Sequence, residues 1–314
     1  MITIATLRES ARAGDAQAQL TLAQAAILGL RDAPSVEEAE ALLEASCAQN
    51  FAPALLFKSV LTARGLGRAK SVSGAYALVK RAAALGHNEA QDMLRILGAD
   101  ALDMTPWRKT IELEPLADAP RMFSIKGFLP DTVCEWLIAA AKTRLTRAVV
   151  NLPDRATTIS KGRTNSSAGF AHLEGDLVMQ LVSRRIARAT GTDLSQHEPM
   201  NVLHYAPGEE YRPHYDVITP WGPDGHAFAS EAQAHGLRMA TVLVYLNAGY
   251  EGGETAFPRL NLHYKGERGD ALIFWSVSER GAPERDSLHA GTPVLSGEKW
   301  LLSQWIRQRP VPLT

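Results

Sequence analysis

The chain has 314 residues, 46% of them hydrophobic, with 33 Lys plus Arg against 34 Asp plus Glu and a net charge of -1. That apolar content suits about two cored domains at roughly 150 residues each and excludes wholesale disorder. The balanced charge excludes a protein that coats nucleic acid or an anionic membrane, since such a protein carries a strong basic excess. No apolar run approaches the roughly 18 residues of a membrane-spanning helix. The opening MITIATLRESARAGDAQ lacks the basic-then-apolar order of a secretory signal. Two cysteines, Cys47 and Cys134, are too few for a disulfide scaffold. The expected setting is a reducing cytoplasm, without nucleic-acid or membrane partners.

Composition changes along the chain. Residues 1–110 hold 25 Ala but only 3 of the 17 Pro and one of the six Trp. Eight of the nine His follow residue 110. Ala-rich, Pro-poor sequence predicts helices. Gly and Pro between runs of branched and aromatic residues predict strands.

The first third repeats itself. Gly14-Asp15-Ala16-Gln17-Ala18, Asn50-Phe51-Ala52-Pro53-Ala54 and Gly86-His87-Asn88-Glu89-Ala90 are spaced 36 residues apart. VEEAEALLEASCAQN and VSGAYALVKRAAALG, between them, show the three-and-four spacing of amphipathic helices. One helix pair per unit buries its apolar face only by stacking on the next. AGDAQAQLTLA (13–23) and AAALGHNEAQDML (82–94) resemble the SEL-one-like branch of tetratricopeptide-type repeats. That resemblance implies a scaffold that holds a partner; an ordinary helical bundle is the plain alternative. The expected layout is a repeat domain over 1–100, a linker over 101–120 and a second domain over 121–314.

PDTVCEWLIAAAKTRL (130–145) predicts a helix opened by Pro130-Asp131, and EGDLVMQLVSRRIARAT predicts another, ended by Gly191. MNVLHYA, TVLVYLN, DALIFWSV and WLLSQWIRQ then read as strands of a sandwich or barrel. On a strand, His214 and Asp216 would share a face. With His289 they make two imidazoles and one carboxylate, the ligand set of non-haem Fe(II) oxygenases, which leaves coordination positions open.

NVLHYAPGEEYRPHYDV (201–217), RMATVLVYLNAGYEGGETAFP (238–258), GDALIFWSV (269–277) and SLHAGTPVLSGEKWLLSQWI (287–306) resemble the prolyl 4-hydroxylase group of 2-oxoglutarate- and Fe(II)-dependent oxygenases. The resemblance implies a double-stranded β-helix, or jelly-roll, behind the helical repeat. It implies Fe(II), 2-oxoglutarate and dioxygen, with ascorbate as an accessory, and a prolyl residue in a peptide or protein as the substrate, 4-hydroxylated as succinate and carbon dioxide are released. A free amino acid or other small molecule is the alternative substrate, and a scaffold with a non-catalytic or sensing domain is the alternative function. His214, Asp216 and His289 match the iron ligands. Lys299, Tyr205 and Thr241 match the co-substrate pocket, where a dianion needs a fixed cation. Lys299, Leu301, Ser303 and Trp305 share one strand parity. Arg163, Glu198, Arg238 and Trp305 fall where the group lines its peptide groove, and the repeats could recruit the protein substrate. Two features depart from the pattern: Asn165-Ser166-Ser167 after Arg163-Thr164, and the long stretch between Val217 and Leu237. His226 and His235 in that stretch read as loop histidines, and His204 should face away from the site. EGGETAFP (251–258) reads as a structural turn, with Glu254 its carboxylate.

Overall fold

The structure, a computed structural model, describes residues 3–151, 157–158, 161–217 and 229–313. It divides into two compact units. The first is Met1–Thr105 with Leu173–Val182 and the last two residues; the second is Pro106–His172 with Ser183–Pro312.

In the first unit six helices follow one another: α1 (Ile4–Arg12), α2 (Ala16–Ile27), α3 (Val36–Ala48), α4 (Ala52–Arg64), α5 (Val72–Ala84) and α6 (Asn88–Leu97). The 36-residue period is visible in the backbone. Gly14, Asn50 and Gly86 all take positive φ, at 95°, 58° and 85°. Each donates its N–H to a carbonyl three residues back, on Ala11, Cys47 and Ala83. Those carbonyls sit where a helix runs out of its own donors, so a left-handed residue closes the turn and the next helix starts at once. Each carbonyl also receives a side chain: Gln19 on Ala11, Gln91 on Ala83, and Arg81 on Cys47. Leu55 stands where the middle unit would carry its glutamine, and Arg81 of the next helix supplies the donor instead. Ala18, Ala54 and Ala90 recur every 36 residues and are buried, as are Leu43 and Val79. Small residues at one position and large at another let neighbouring helices close on each other.

The second unit is built from antiparallel sheets. Among the described residues the larger has eight strands, in spatial order 114–118, 121–125, 271–275, 238–245, 299–307, 200–205, 166–170 and 146–147. The smaller has four, in order 262–264, 255–257, 289–291 and 211–214. Leu203, Tyr205, Leu243, Tyr245, Phe274 and Leu301 on one face of the large sheet share a core with Phe257 of the small one. Val202, Val242, Val244, Ile273 and Leu302, of opposite parity, are fully buried too. Burial on both faces explains why these strands read as continuous apolar runs. The helix Asp131–Lys142 covers part of the outer face, packing against strands 166–170 and 200–205 through the stripe Val133, Cys134, Leu137 and Ala141. A second helix, Leu177–Thr190, ends at Gly191 with φ 68°.

Two expectations change. The stretch 101–120 is not a plain linker, because it holds a helical turn, Thr105–Arg108, and the strand Glu114–Asp118, which pairs with Arg121–Ile125. Its alternation is too short to signal a strand without the partner. The division also crosses the helix at 177–190, since residues up to Val182 group with the first unit.

Candidate active site

His214 ends the strand Tyr211–His214 and His289 begins the strand His289–Gly291. The two are direct cross-strand partners in the antiparallel ladder, so their rings stand on one face with centroids 4.3 Å apart. Asp216 does not share a strand with His214, contrary to the parity expected of an H-x-D run. It lies two residues past the strand end, in a bend. The bend still delivers its carboxylate: Oδ1 is 3.8 Å from His214 Nε2 and Oδ2 is 3.5 Å from His289 Nε2. Among the described residues this is the one three-member group placed to hold a metal ion.

The nitrogens show that a cation fits. His214 Nδ1 is 2.8 Å from the Arg212 carbonyl and His289 Nδ1 is 3.0 Å from that of Ser287. Each Nδ1–H therefore donates to backbone, and each Nε2 presents a lone pair. Both Nε2 atoms stop short of a hydrogen bond to the carboxylate, and the two nitrogens and the carboxylate converge on the space between. Burial, and then the neighbouring His289, push His214 down to about 3, which keeps it neutral. Burial works to raise the Asp216 carboxyl, but His289, His214 and Arg238, with the Thr241 hydrogen bond, outweigh it and hold it low.

A half-open pocket lies beside this group and takes in its three side chains. Lys299, Leu301, Ser303 and Trp305 all line it, as their shared parity requires, with Leu203, Tyr205, Leu243, Thr255 and Gly291. Lys299 is 1% exposed and donates from Nζ to the Gly253 carbonyl at 2.7 Å. Its ammonium lies 5.2 Å from the Tyr205 ring centre and 5.7 Å from that of Tyr245. Among the described residues no carboxylate reaches it, and burial lowers it to about 7. A cation buried without an anion is costly, and a cavity beside it is a place for that anion.

Thr241 is placed differently from the expectation. It does not line the cavity; its hydroxyl donates to Asp216 Oδ2 at 2.6 Å. The threonine that does face the cavity is Thr255, whose hydroxyl is 2.8 Å from that of Tyr245. Gly253, with φ 67°, has no room for a side chain, since a Cβ would press Tyr250 at 3.1 Å and Lys299 at 3.3 Å. The EGGETAFP segment is thus part of the site as well as a turn, while Glu254 is a turn carboxylate that accepts from Thr292.

Arg163 lines the cavity, and its guanidinium stands 4.7 Å over Tyr211, which in turn stacks on His214 at 3.5 Å. The departure at Asn165 has a purpose here: its Oδ1 accepts from Arg163 Nε at 3.2 Å, while the Val149 carbonyl takes Nη1. Glu198 and Arg238 do not line the cavity. Glu198 accepts both arms of Arg238 at 2.7 Å and also Arg307 Nε, and Arg238 lies 4.0 Å over the Trp305 ring. The ion cluster clamps Trp305, which does face the cavity. Burial opposes the Glu198 charge, but the two arginines prevail and lower it.

His204 points away, against Trp300 at 4.4 Å. His235 bonds to the Pro310 carbonyl; His226 lies outside the described residues, as does most of the long stretch after Val217. Sequence reasoning missed Tyr211, Thr255, Asn165 and Arg307. The placement of Tyr211 three residues before His214 was a usable signal. The others depend on partners 2 to 109 positions away.

The sequence profile of the 2OG-Fe(II) oxygenase superfamily matches residues 200–307. The probable prolyl 4-hydroxylase 3 of Arabidopsis thaliana is 34% identical over 214 residues, covering 62% of this chain and 71% of the plant protein. The chain belongs to the 2OG-Fe(II) oxygenase superfamily. As a member it is a dioxygenase that uses Fe(II), 2-oxoglutarate and dioxygen. Among solved structures, a viral collagen prolyl hydroxylase from Paramecium Bursaria Chlorella virus-1, in complex with 2OG, is 31% identical. It covers 59% of this chain and 95% of its own, with a TM-score of 0.46. A Sel1 repeat protein from Oxalobacter formigenes is 26% identical, covering 30% of this chain and 71% of its own, with a TM-score of 0.27.

Proposed function

We propose that this oxygenase hydroxylates a prolyl residue, at C4, in a peptide or protein. The observation that carries the reading is one pocket joining two imidazoles and a carboxylate to a buried lysine that no carboxylate bonds among the described residues. The prolyl assignment draws on the prolyl 4-hydroxylase relatives. His214, Asp216 and His289 hold the metal. When bound, Fe(II) with 2-oxoglutarate and dioxygen supplies the oxidation, placing one oxygen atom in a C–H bond and the other in the succinate formed as carbon dioxide leaves. Lys299 holds the far carboxylate of the co-substrate, with Tyr205 and Thr255 beside it. The apolar walls Leu203, Leu243 and Leu301 exclude water around the five-carbon chain. Arg163, Tyr211 and Trp305 stand at the metal end, where the primary substrate must lie, and Glu198 with Arg238 fixes the Trp305 ring. The protein supplies position and charge, and no side chain is needed as a nucleophile.

The helical repeats recruit the protein that carries the proline; stacked helix pairs of this kind present extended surfaces. Ascorbate serves as an accessory reductant, and the setting is the cytoplasm, in keeping with two buried free thiols. Succinate release from the full chain with Fe(II), 2-oxoglutarate and a proline-containing peptide panel tests the reading. Peptide-dependent succinate and a 16-dalton gain on proline are expected. Succinate without a peptide adduct, but with a modified small molecule, overturns the prolyl assignment and leaves the metal chemistry standing.

A further inference from the structure

We infer that Thr241 is a positioning residue for the Asp216 carboxylate, engaging one oxygen so that the other is the stronger donor to the metal. The inference rests on the reading of His214, Asp216 and His289 as the metal set. Each member of that set has a second, fixed bond. The two histidines are tied through Nδ1 to the carbonyls of Arg212 and Ser287. Asp216 has no ladder to hold it, because it sits beyond its strand in a bend. Its tie comes from another strand altogether, as Thr241 Oγ1 donates to Oδ2 at 2.6 Å.

The tie is rigid. Thr241 lies within Arg238–Tyr245, a strand bonded on both sides, and is 1% exposed. A β-branched side chain has few χ1 choices in such a place. Its register partners on the two flanking strands are Phe274 and Trp305.

The chemistry gives the tie a use. A carboxylate offers lone pairs on both oxygens and can chelate through the two together. Two imidazoles and a chelating carboxylate would fill four of six positions. A bidentate keto acid and dioxygen need three, so only a one-oxygen carboxylate leaves enough. Oδ2 lies 3.5 Å from His289 Nε2 and Oδ1 3.8 Å from His214 Nε2, and the hydrogen bond to Oδ2 takes up part of its lone-pair capacity and leaves Oδ1 the more basic of the two.

Three full-length proteins test this: wild type, Thr241→Val, which keeps the shape and loses the hydroxyl, and Thr241→Ser, which keeps the hydroxyl. The probe is Mn(II) alone, by calorimetry and electron paramagnetic resonance, followed by 2-oxoglutarate binding to the Mn(II)-loaded proteins. Thermal unfolding shows whether all three are folded. Loss of an outer partner of a ligand costs about 10- to 100-fold in metal affinity. Thr241→Val is expected to lose about that much, to change the Mn(II) spectrum and to weaken 2-oxoglutarate binding, with Thr241→Ser restoring all three. Wild-type affinity and spectrum in Thr241→Val overturn the inference, and so does equal impairment in Thr241→Ser. A wild-type protein that binds Mn(II) no better than Asp216→Ala overturns the metal reading itself.

Discussion

The two units reach order by opposite routes. In the repeat, the ends of α1, α3 and α5 are each closed by a residue that bonds three positions back, and that pattern recurs every 36 residues. Contacts are local, and the sequence period is the structural period. In the oxygenase unit the metal group joins His214 to His289 by one cross-strand pair, 75 positions apart, and fixes Asp216 through Thr241. Nothing in it repeats. A local array tolerates a lost contact at one unit, whereas a convergent site has no spare member. The contrast predicts graded effects in the first unit and all-or-none effects in the second.

The largest expected effect tests the all-or-none half. Asp216→Ala or His289→Ala drops succinate release to background while the protein stays folded by circular dichroism; partial turnover would show that the site tolerates a missing donor. Leu43→Ala, at a fully buried repeat position, costs about 2–5 kcal/mol of stability for that unit. Turnover of a short peptide is expected to survive it and turnover of a full protein substrate to fall, which kinetics on both substrates would reveal. Equal loss on both would break the division of labour.

Lys299→Met removes a charge-assisted contact of about 1.5–3 kcal/mol, seen by calorimetry as weaker 2-oxoglutarate binding. The same residue sets a pH dependence. Burial lowers it to about 7 from an ordinary 10.5, so in the free protein the ammonium is lost as pH rises through about 7. The co-substrate dianion needs the charged form, and each pH unit above 7 costs about tenfold in its affinity. Lys299→Arg, charged throughout, flattens that slope. For folding, the unfolded chain binds the proton up to about 10.5 and the native one does not. The penalty from this lysine is full below pH 7 and shrinks as pH climbs toward 10.5.

Smaller effects return to the repeat. Gly86→Ala forces a side chain into φ 85° with open space around it. The cost is the backbone strain alone, about 1 kcal/mol, read as a modest shift in thermal unfolding. His204→Ala, on the far side of its strand, is expected to leave metal binding and turnover unchanged.

Much of the site was legible, and the residues show why. His214, His289, Lys299 and Tyr205 are named by spacing and resemblance, and strand parity correctly turned Lys299, Leu301, Ser303 and Trp305 into one cavity and His204 out of it. Parity failed at Asp216, because a strand's end is set by where its neighbour stops pairing. For Thr241 the resemblance left its partner open. A threonine on an inward face could bond a co-substrate or a ligand carboxylate, and only the packing of 238–245 against the bend at Asp216 chose the carboxylate. Thr255 was hidden inside a segment that reads as a turn. The strand at 114–118 was hidden for a related reason, since five residues at a sheet edge carry little pattern of their own.

The sequence by itself determined the 36-residue helical period, the strand parities and the inventory of donors, because each rests on neighbours one to four positions apart. Tertiary structure alone decided which threonine bonds the Asp216 carboxylate and which lines the cavity. It also decided that Glu198, bonded to both Arg238 and Arg307, holds Arg238 over Trp305, and that Asn165 bonds Arg163. Those choices depend on register between distant strands and on where one strand stops pairing, and hydrogen bonds of about 3 Å discriminate between positions that no local pattern separates.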